Sequence, residues 1–251
     1  MKKVLFLFEE EFKKILRSRY LYVFVVVFIM DIIAWISEYS DRARSTLYST
    51  DVHVAGQGMK YLVNHEFGNF GIFVLYLLPL LLIASPIFSD ESDNKILSQI
   101  CVTQNGRIID TIVKSILILV IQLIWIIIFS IFSIVIGFSL FDLGISGVDA
   151  YIVEILKCIV NIALGCFCMA NVFLFISSGM KNTVSAMAVG FATIVIPMFV
   201  ETNKLWAHVF PVIGMQAECL QERSGGENLL IWIFYVCVGI LFFVMNLCKN
   251  K

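Results

Sequence analysis

Charged residues are scarce in this sequence. They make up 15% of its 251 residues, against about 25% in a soluble globular chain. The signs almost cancel, with 18 Lys and Arg against 19 Asp and Glu, for a net charge of -1. Bulk electrostatics therefore points neither to nucleic acid nor to an acidic substrate. No Gly-x-x-x-x-Gly-Lys-Ser/Thr occurs, so the chain has no phosphate-cradling loop of its own. His-Glu-x-x-His and Gly-x-Ser-x-Gly are also missing, and with them the common hydrolase signatures. His53 and His65 lie in one polar stretch and read as solvated side chains, so no metal site is expected. Lys2 and Lys3 begin the chain, but Glu9, Glu10 and Glu11 follow at once without a small-residue cleavage site, so no cleavable signal peptide is expected. Internal repeats, low-complexity segments and a linker to a soluble domain are absent too.

What is present is apolar. Hydrophobic residues reach 60%, with 22 Phe, and they sit in runs long enough to cross about 30 Å of hydrocarbon as helices. Hydrocarbon offers backbone groups no partners, so runs of this length are expected to be helical. The fold class expected is an all-α membrane protein in one transmembrane domain, 1–251. An interfacial helix over 2–19 precedes six spans over 20–36, 70–88, 116–138, 152–177, 184–200 and 229–248. In the first unit Leu5, Phe8, Phe12 and Ile15 make one apolar face, and Glu9 with Lys13 and Glu10 with Lys14 pair at i,i+4 on the other.

With the N-terminus inside, 12 of the 18 Lys and Arg fall in inner segments and 6 in outer ones, which sets the orientation. Both termini are then cytoplasmic, 89–112 is an inner segment expected to form a coupling helix, and 37–69 and 201–227 are the large outer ones. The second outer segment is semi-apolar and could dip into the membrane edge. Only Cys219 of the 7 cysteines then lies in an outer loop, so no disulfide framework is implied. Cys166 and Cys168 read as small packing residues.

Few polar residues lie within the spans. Asp31 shares a helical face with Trp35 and Glu38. A carboxylate at that depth is costly unless it finds water or a partner, so it is expected to face a protein interior or an aqueous vestibule. Glu154 and Lys157 read as an ion pair near the headgroups, with Asn161, Gly165 and Cys168 continuing their face. Ala186, Gly190, Thr193 and Pro197 line one face of the fifth span, where small residues allow close helix approach. The span centres hold little beyond Gln122, Ser130, Ser133 and Asn171. That weighs against an ion-coupled secondary transporter, which would need carboxylates or histidines at mid-membrane. A membrane enzyme would need a paired catalytic set at depth, and none is found.

The stretch Phe88–Lys114 is a polar interruption with helical periodicity, Ile96, Leu97, Ile100 and Cys101 recurring on one face. It resembles the cytoplasmic loop between the second and third spans of ABC-2-type transporter permeases. Glu91 matches the acid of that loop and Ile96-Leu97 with Ile100 its short helix. Thr103 matches the threonine, Gly106-Arg107 the basic turn and Lys114 the lysine entering the third span. Lys95-Ile96 stands where Gly-Thr is common, and Gln104 replaces a proline. The whole span pattern agrees with the same family. The resemblance implies a bacterial plasma-membrane permease that forms a homodimer and docks separate cytosolic ATPase subunits, which bind the ATP and Mg; this chain binds no cofactor. It implies that Asp90, Glu91, Lys95 and Arg107 make charged contacts to the ATPase around an apolar plug of Ile96, Leu97 and Ile100. It also implies that the first, second and fifth spans line the path or the dimer interface, where Asp31, Ala186, Gly190, Thr193 and Pro197 would stand. An amphipathic or apolar substrate, a peptide, toxin or drug, suits the aromatic-rich body. A non-transporting immunity or sensor protein that binds an ATPase stays open as an alternative.

Overall fold

The computed structural model describes residues 2–16, 22, 25–27, 29–30, 33, 67–68, 71–93, 106–140, 148–180, 182–199 and 205–249. Among these residues the chain is mostly helical and has no strand. Helix α1 is Lys2–Leu16. A π-helical segment, Ile72–Leu77, runs directly into α2, Leu78–Asp93. Helix α3 is Gly106–Leu140, α4 is Val148–Gly179, and α5 is Thr183–Val195, extended by a 3-10 turn over Ile196–Phe199. A further 3-10 turn, Leu205–Val209, leads to the short helices α6, Pro211–Gly214, and α7, Ala217–Glu222. Helix α8 is Gly225–Lys249.

Among the described residues, three helices are long and apolar enough to cross a membrane: Ile108–Phe132, Ile152–Gly179 and Gly225–Lys249. Two shorter apolar helices, Ile72–Ile87 and Thr183–Phe199, accompany them. Of the expected first span, 20–36, the described residues Tyr22, Val25, Val26, Val27, Ile29, Met30 and Ile33 are helical; the rest of it lies outside the described residues, as do 37–66. Large side chains such as Ile127 (52% exposed) and Ile131 (58%) point away from the protein. Apolar surface of that extent calls for lipid or another apolar partner.

Two boundaries differ from expectation, both at the 88–114 interruption. Helix α2 runs on to Asp93, and α3 begins at Gly106. The inner segment drawn over 89–112 therefore splits into the last turn of α2, a middle at 94–105 outside the described residues, and the first turns of α3. The helix expected in this stretch is thus partly the continuation of α2 and α3 themselves, since a helix can emerge from hydrocarbon without unwinding. At 35 residues and about 1.5 Å per residue, α3 is about 50 Å long, well beyond the apolar layer.

The core is centred on α2 and the π segment. Ile72, Leu75, Tyr76, Leu77 and Ala84 are fully buried. Helices α3, α4 and α5 pack around them, and α8 packs along α4. Contacts at both ends show that α2, α4 and α8 run in the same direction. At one end Trp232 Nε1 donates to Asn161 Oδ1 (3.0 Å) and Ala217 N–H to the Phe67 carbonyl (2.7 Å). At the other, Ser177 Oγ donates to the Ser85 carbonyl (2.6 Å) and the Lys249 ammonium lies over the Phe175 ring. Helix α1 lies against α3, with Ile15 buried and Phe8 and Phe12 packed on the core. The apolar face expected to meet lipid is thus at least partly taken up by protein. On its solvent face Lys13 pairs with Glu9 (2.8 Å), as the spacing predicts, and also with Glu10 (3.4 Å).

Candidate functional site

Two ends of the bundle carry the polar chemistry. The first, the foot, is where α2 ends and α3 begins. Asp90 and Glu91 lie in the last turn of α2 and Arg107 in the first turn of α3. Lys95, Ile96, Leu97 and Ile100 lie between them, outside the described residues, and so does Asp31. Trp125 bonds to Leu75 across the middle of the bundle. Counting about 1.5 Å per residue down each helix from that contact puts Asp90 and Asp110 at the same level.

Just inside the foot lies an ion pair that sequence reading missed. Lys114 Nζ is 2.7 Å from Asp110 Oδ2, and the two side chains are 0% and 3% exposed. The i,i+4 spacing was the available signal. Lys114 had drawn notice only through the family resemblance, with no partner assigned. Thr111 and Ser115 are buried beside the pair, so the root of α3 has a polar interior.

The second end is a cap formed by the Leu205–Val209 turn, α6 and α7. Its seat is the face of α4 that carries Glu154, Asn161 and Gly165. Glu154 accepts a hydrogen bond from Gln221 Nε2 of α7. It does not pair with Lys157, because α7 lies beside the start of α4 and brings an amide within reach. Asn161 Nδ2 donates to the Gly214 carbonyl (2.8 Å), and its Oδ1 is held by Trp232. Arg223 Nη2 donates to the same Gly214 carbonyl (2.8 Å) and its Nε to the Cys219 carbonyl (2.8 Å). Tyr235 Oη donates to the His208 carbonyl (2.9 Å). At Gly165 an added Cβ would fall 2.2 Å from Met215 Sδ, so the small residue lets the cap sit directly on α4.

Helix α8 starts with a capping box absent from the sequence reading although Ser-x-x-Glu was legible. Ser224 N–H donates to Glu227 Oε2 (2.8 Å), and Glu227 N–H to Ser224 Oγ (3.4 Å), filling two helix-end groups reciprocally. Burial lowers the proton affinity of the Arg223 guanidinium. Burial also pushes the Cys219 thiol up to about 11, against the opposing pull of Arg223. The thiolate is the reactive form. Cys219 is therefore expected to resist an impermeant maleimide at pH 7 in the native chain and to react in an Asn161→Ala variant. Equal rates in the two, measured by mass shift of tryptic peptides, would show that Asn161 does not hold the cap. The raised pKa also means that the folded state keeps a proton the unfolded chain gives up above about pH 9, so cap stability falls as pH rises toward 11.

The small-residue face of α5 is used within the chain. Ala186, Gly190 and Pro197 are buried, and Thr193 Oγ1 donates to the Gly190 carbonyl (2.7 Å). An added Cβ at Gly190 would fall 2.3 Å from Leu81 Cδ1 of α2 and 3.5 Å from Phe173 of α4. Close approach is what the spacing promised, and the helices approached are α2 and α4. The opposite side of α5 exposes Val184, Phe191, Ile196 and Phe199. Cys166 and Cys168 are buried, as expected of packing residues; Cys166 Sγ accepts from Gln122 Nε2 (3.4 Å). No family model, curated protein or solved structure matches this chain.

Proposed function

We propose that this chain is the membrane-spanning subunit of an ATP-driven exporter of the ABC-2 permease type. It moves an amphipathic or apolar substrate, a peptide, toxin or drug, outward across the plasma membrane with energy from a separate cytosolic ATPase that binds ATP and Mg. The observation that carries this reading is the foot. Two helices of the bundle, α2 and α3, reach it as continuous rods, and the short stretch 94–105 joins them. A push on that joint is transmitted into both helices at once. The absence of a phosphate-cradling loop in the sequence gives the joint a purpose, because the motive force comes from another subunit.

In this reading the foot is cytoplasmic and the cap faces outward. Six spans follow from the apolar runs and the inside termini from the charge count along the sequence, and the shared direction of α2, α4 and α8 is compatible with that alternation. Asp90, Glu91, Lys95 and Arg107 meet the ATPase, with Ile96, Leu97 and Ile100 as the apolar plug. Two copies form the working unit. A second copy meeting α5 would use its exposed side, Val184, Phe191, Ile196 and Phe199, since Gly190 is already covered by Leu81.

An ABC-type ATPase is expected to copurify with the tagged chain. Reversing charge with Glu91→Lys and breaking the plug with Leu97→Asp is expected to lower coupled ATP hydrolysis and export about tenfold or more, a loss of about 1.4 kcal/mol of interaction, while the chain still inserts. Unchanged export from vesicles carrying that double variant would sink the proposal.

A further inference from the structure

The central helix of the bundle interrupts its own hydrogen-bond ladder where the π segment meets α2. The Leu78 N–H bonds to the Phe73 carbonyl, five residues back, while α2 itself has α spacing. Changing from five-residue to four-residue spacing passes over one carbonyl. Pro79, the second residue of α2, brings no N–H. Val74–Tyr76 therefore has more carbonyls than backbone donors. In α spacing the donor for the Leu75 carbonyl would be residue 79, and residue 79 is the proline. Another helix makes up the bond: Trp125 Nε1 of α3 donates to the Leu75 carbonyl at 2.7 Å. The indole is steadied by Phe129, with ring centroids 4.7 Å apart.

The surroundings of this junction are fully packed. Leu75, Tyr76 and Leu77 are 0% exposed. Lower down, Pro86 lies inside α2, and Ser177 Oγ of α4 holds the carbonyl next to it. The π segment and α2 are thus tied to their neighbours by side-chain bonds to the Leu75 and Ser85 carbonyls, the first at the carbonyl that Pro79 leaves without its α-helical donor.

We propose that the π segment and Pro79 form a hinge at the head of α2, latched by the Trp125 indole N–H, about which the rest of α2, Leu80–Asp93, swings. Bending there has one backbone bond fewer to break, because the proline has already removed the bond from residue 79 to the Leu75 carbonyl. The π segment can pass its extra residue along the helix by exchanging one donor at a time, and the indole bond selects one of these registers. That an ATPase drives the swing rests on the export reading. The existence of the hinge does not.

Hydrogen exchange of the full chain in nanodiscs, without any ATPase, tests it. Pro79→Ala supplies the missing N–H and is expected to slow exchange at Leu80–Leu82 about tenfold, the effect of roughly 1.4 kcal/mol on local opening. Trp125→Phe keeps an aromatic ring on Phe129 and removes only the donor; exchange at the same amides is expected to rise by a similar factor. The double variant is expected to return to the native rate or below it, because the alanine N–H replaces the indole. Equal rates in the native chain and in Pro79→Ala overturn the hinge, and that comparison stands alone if Trp125→Phe fails to fold. A failed copurification with an ATPase would leave these rates untouched, so the two proposals fail separately.

Discussion

Replacing Lys114 with Met is expected to destabilise the fold by about 3–5 kcal/mol, the usual cost of removing one partner from a buried ion pair. The pair qualifies: Nζ and Oδ2 are 2.7 Å apart, and both side chains are almost completely shielded. Methionine fills much of the lysine stem but leaves the Asp110 carboxylate buried without its ammonium. Lys114→Arg keeps the charge but enlarges the head of a fully buried side chain, so it is expected to be only partly tolerated. Asp110→Leu combined with Lys114→Met is expected to recover most of the loss, since an apolar pair of similar volume removes both desolvation costs. Thermal unfolding in detergent, followed by circular dichroism, compares the three. If the single Lys114→Met variant melts with the native chain, the pair contributes nothing to holding the root of α3. Where the double variant folds well yet loses the export proposed above, the pair serves the working of the foot rather than the holding of the fold.

The second large effect is expected at Gly214. An added Cβ there would fall 2.1 Å from both the His208 carbonyl oxygen and Tyr235 Oη. Neither neighbour can yield cheaply. The carbonyl belongs to the backbone of the Leu205–Val209 turn and accepts the Tyr235 hydroxyl, and the Tyr235 ring is fully buried. Gly214→Ala must therefore push the cap off its seat or break that hydrogen bond, at about 2–4 kcal/mol. The Gly214 carbonyl would move with it and loosen both Asn161 and Arg223. Faster maleimide labelling of Cys219, with little change in melting of the three long helices, is the expected signature. Gly225 and Gly226 provide the contrast: an added Cβ meets nothing within 4 Å at either position, and alanine there is expected to be neutral or slightly stabilising. If Gly214→Ala labels Cys219 no faster than Gly226→Ala does, the cap is not pivoted on Gly214.

These cases separate what could be read along the chain from what could not. The apolar runs were legible because the demand for internal backbone pairing acts on any residue in hydrocarbon, wherever it stands in the fold. The Glu9–Lys13 pair was legible because an i,i+4 pair needs only its own helix. The same rule would have found Asp110 with Lys114, had it been applied across the boundary drawn between the inner segment 89–112 and the span 116–138. A helix can carry charge past the membrane edge, however, and the length of α3 was set by what buries its root. The small-residue face of α5 was visible as a pattern, but the helices that would occupy it were not.

Sequence by itself determined that this chain is helical, apolar and able to span a membrane, and it contains Pro79 and Pro86, which by their chemistry have no N–H to donate. Only the tertiary structure decided which group replaces that donor, because Trp125 is 50 residues from Leu75 and no local rule connects them. The same holds for the cap, where the Gly214 carbonyl is shared between Asn161, 53 residues away, and Arg223. Hydrophobicity and helical spacing are properties of neighbours along the chain. A hydrogen bond from a side chain on one helix to a carbonyl on another depends on the packing of both, and packing exists only once the helices have met.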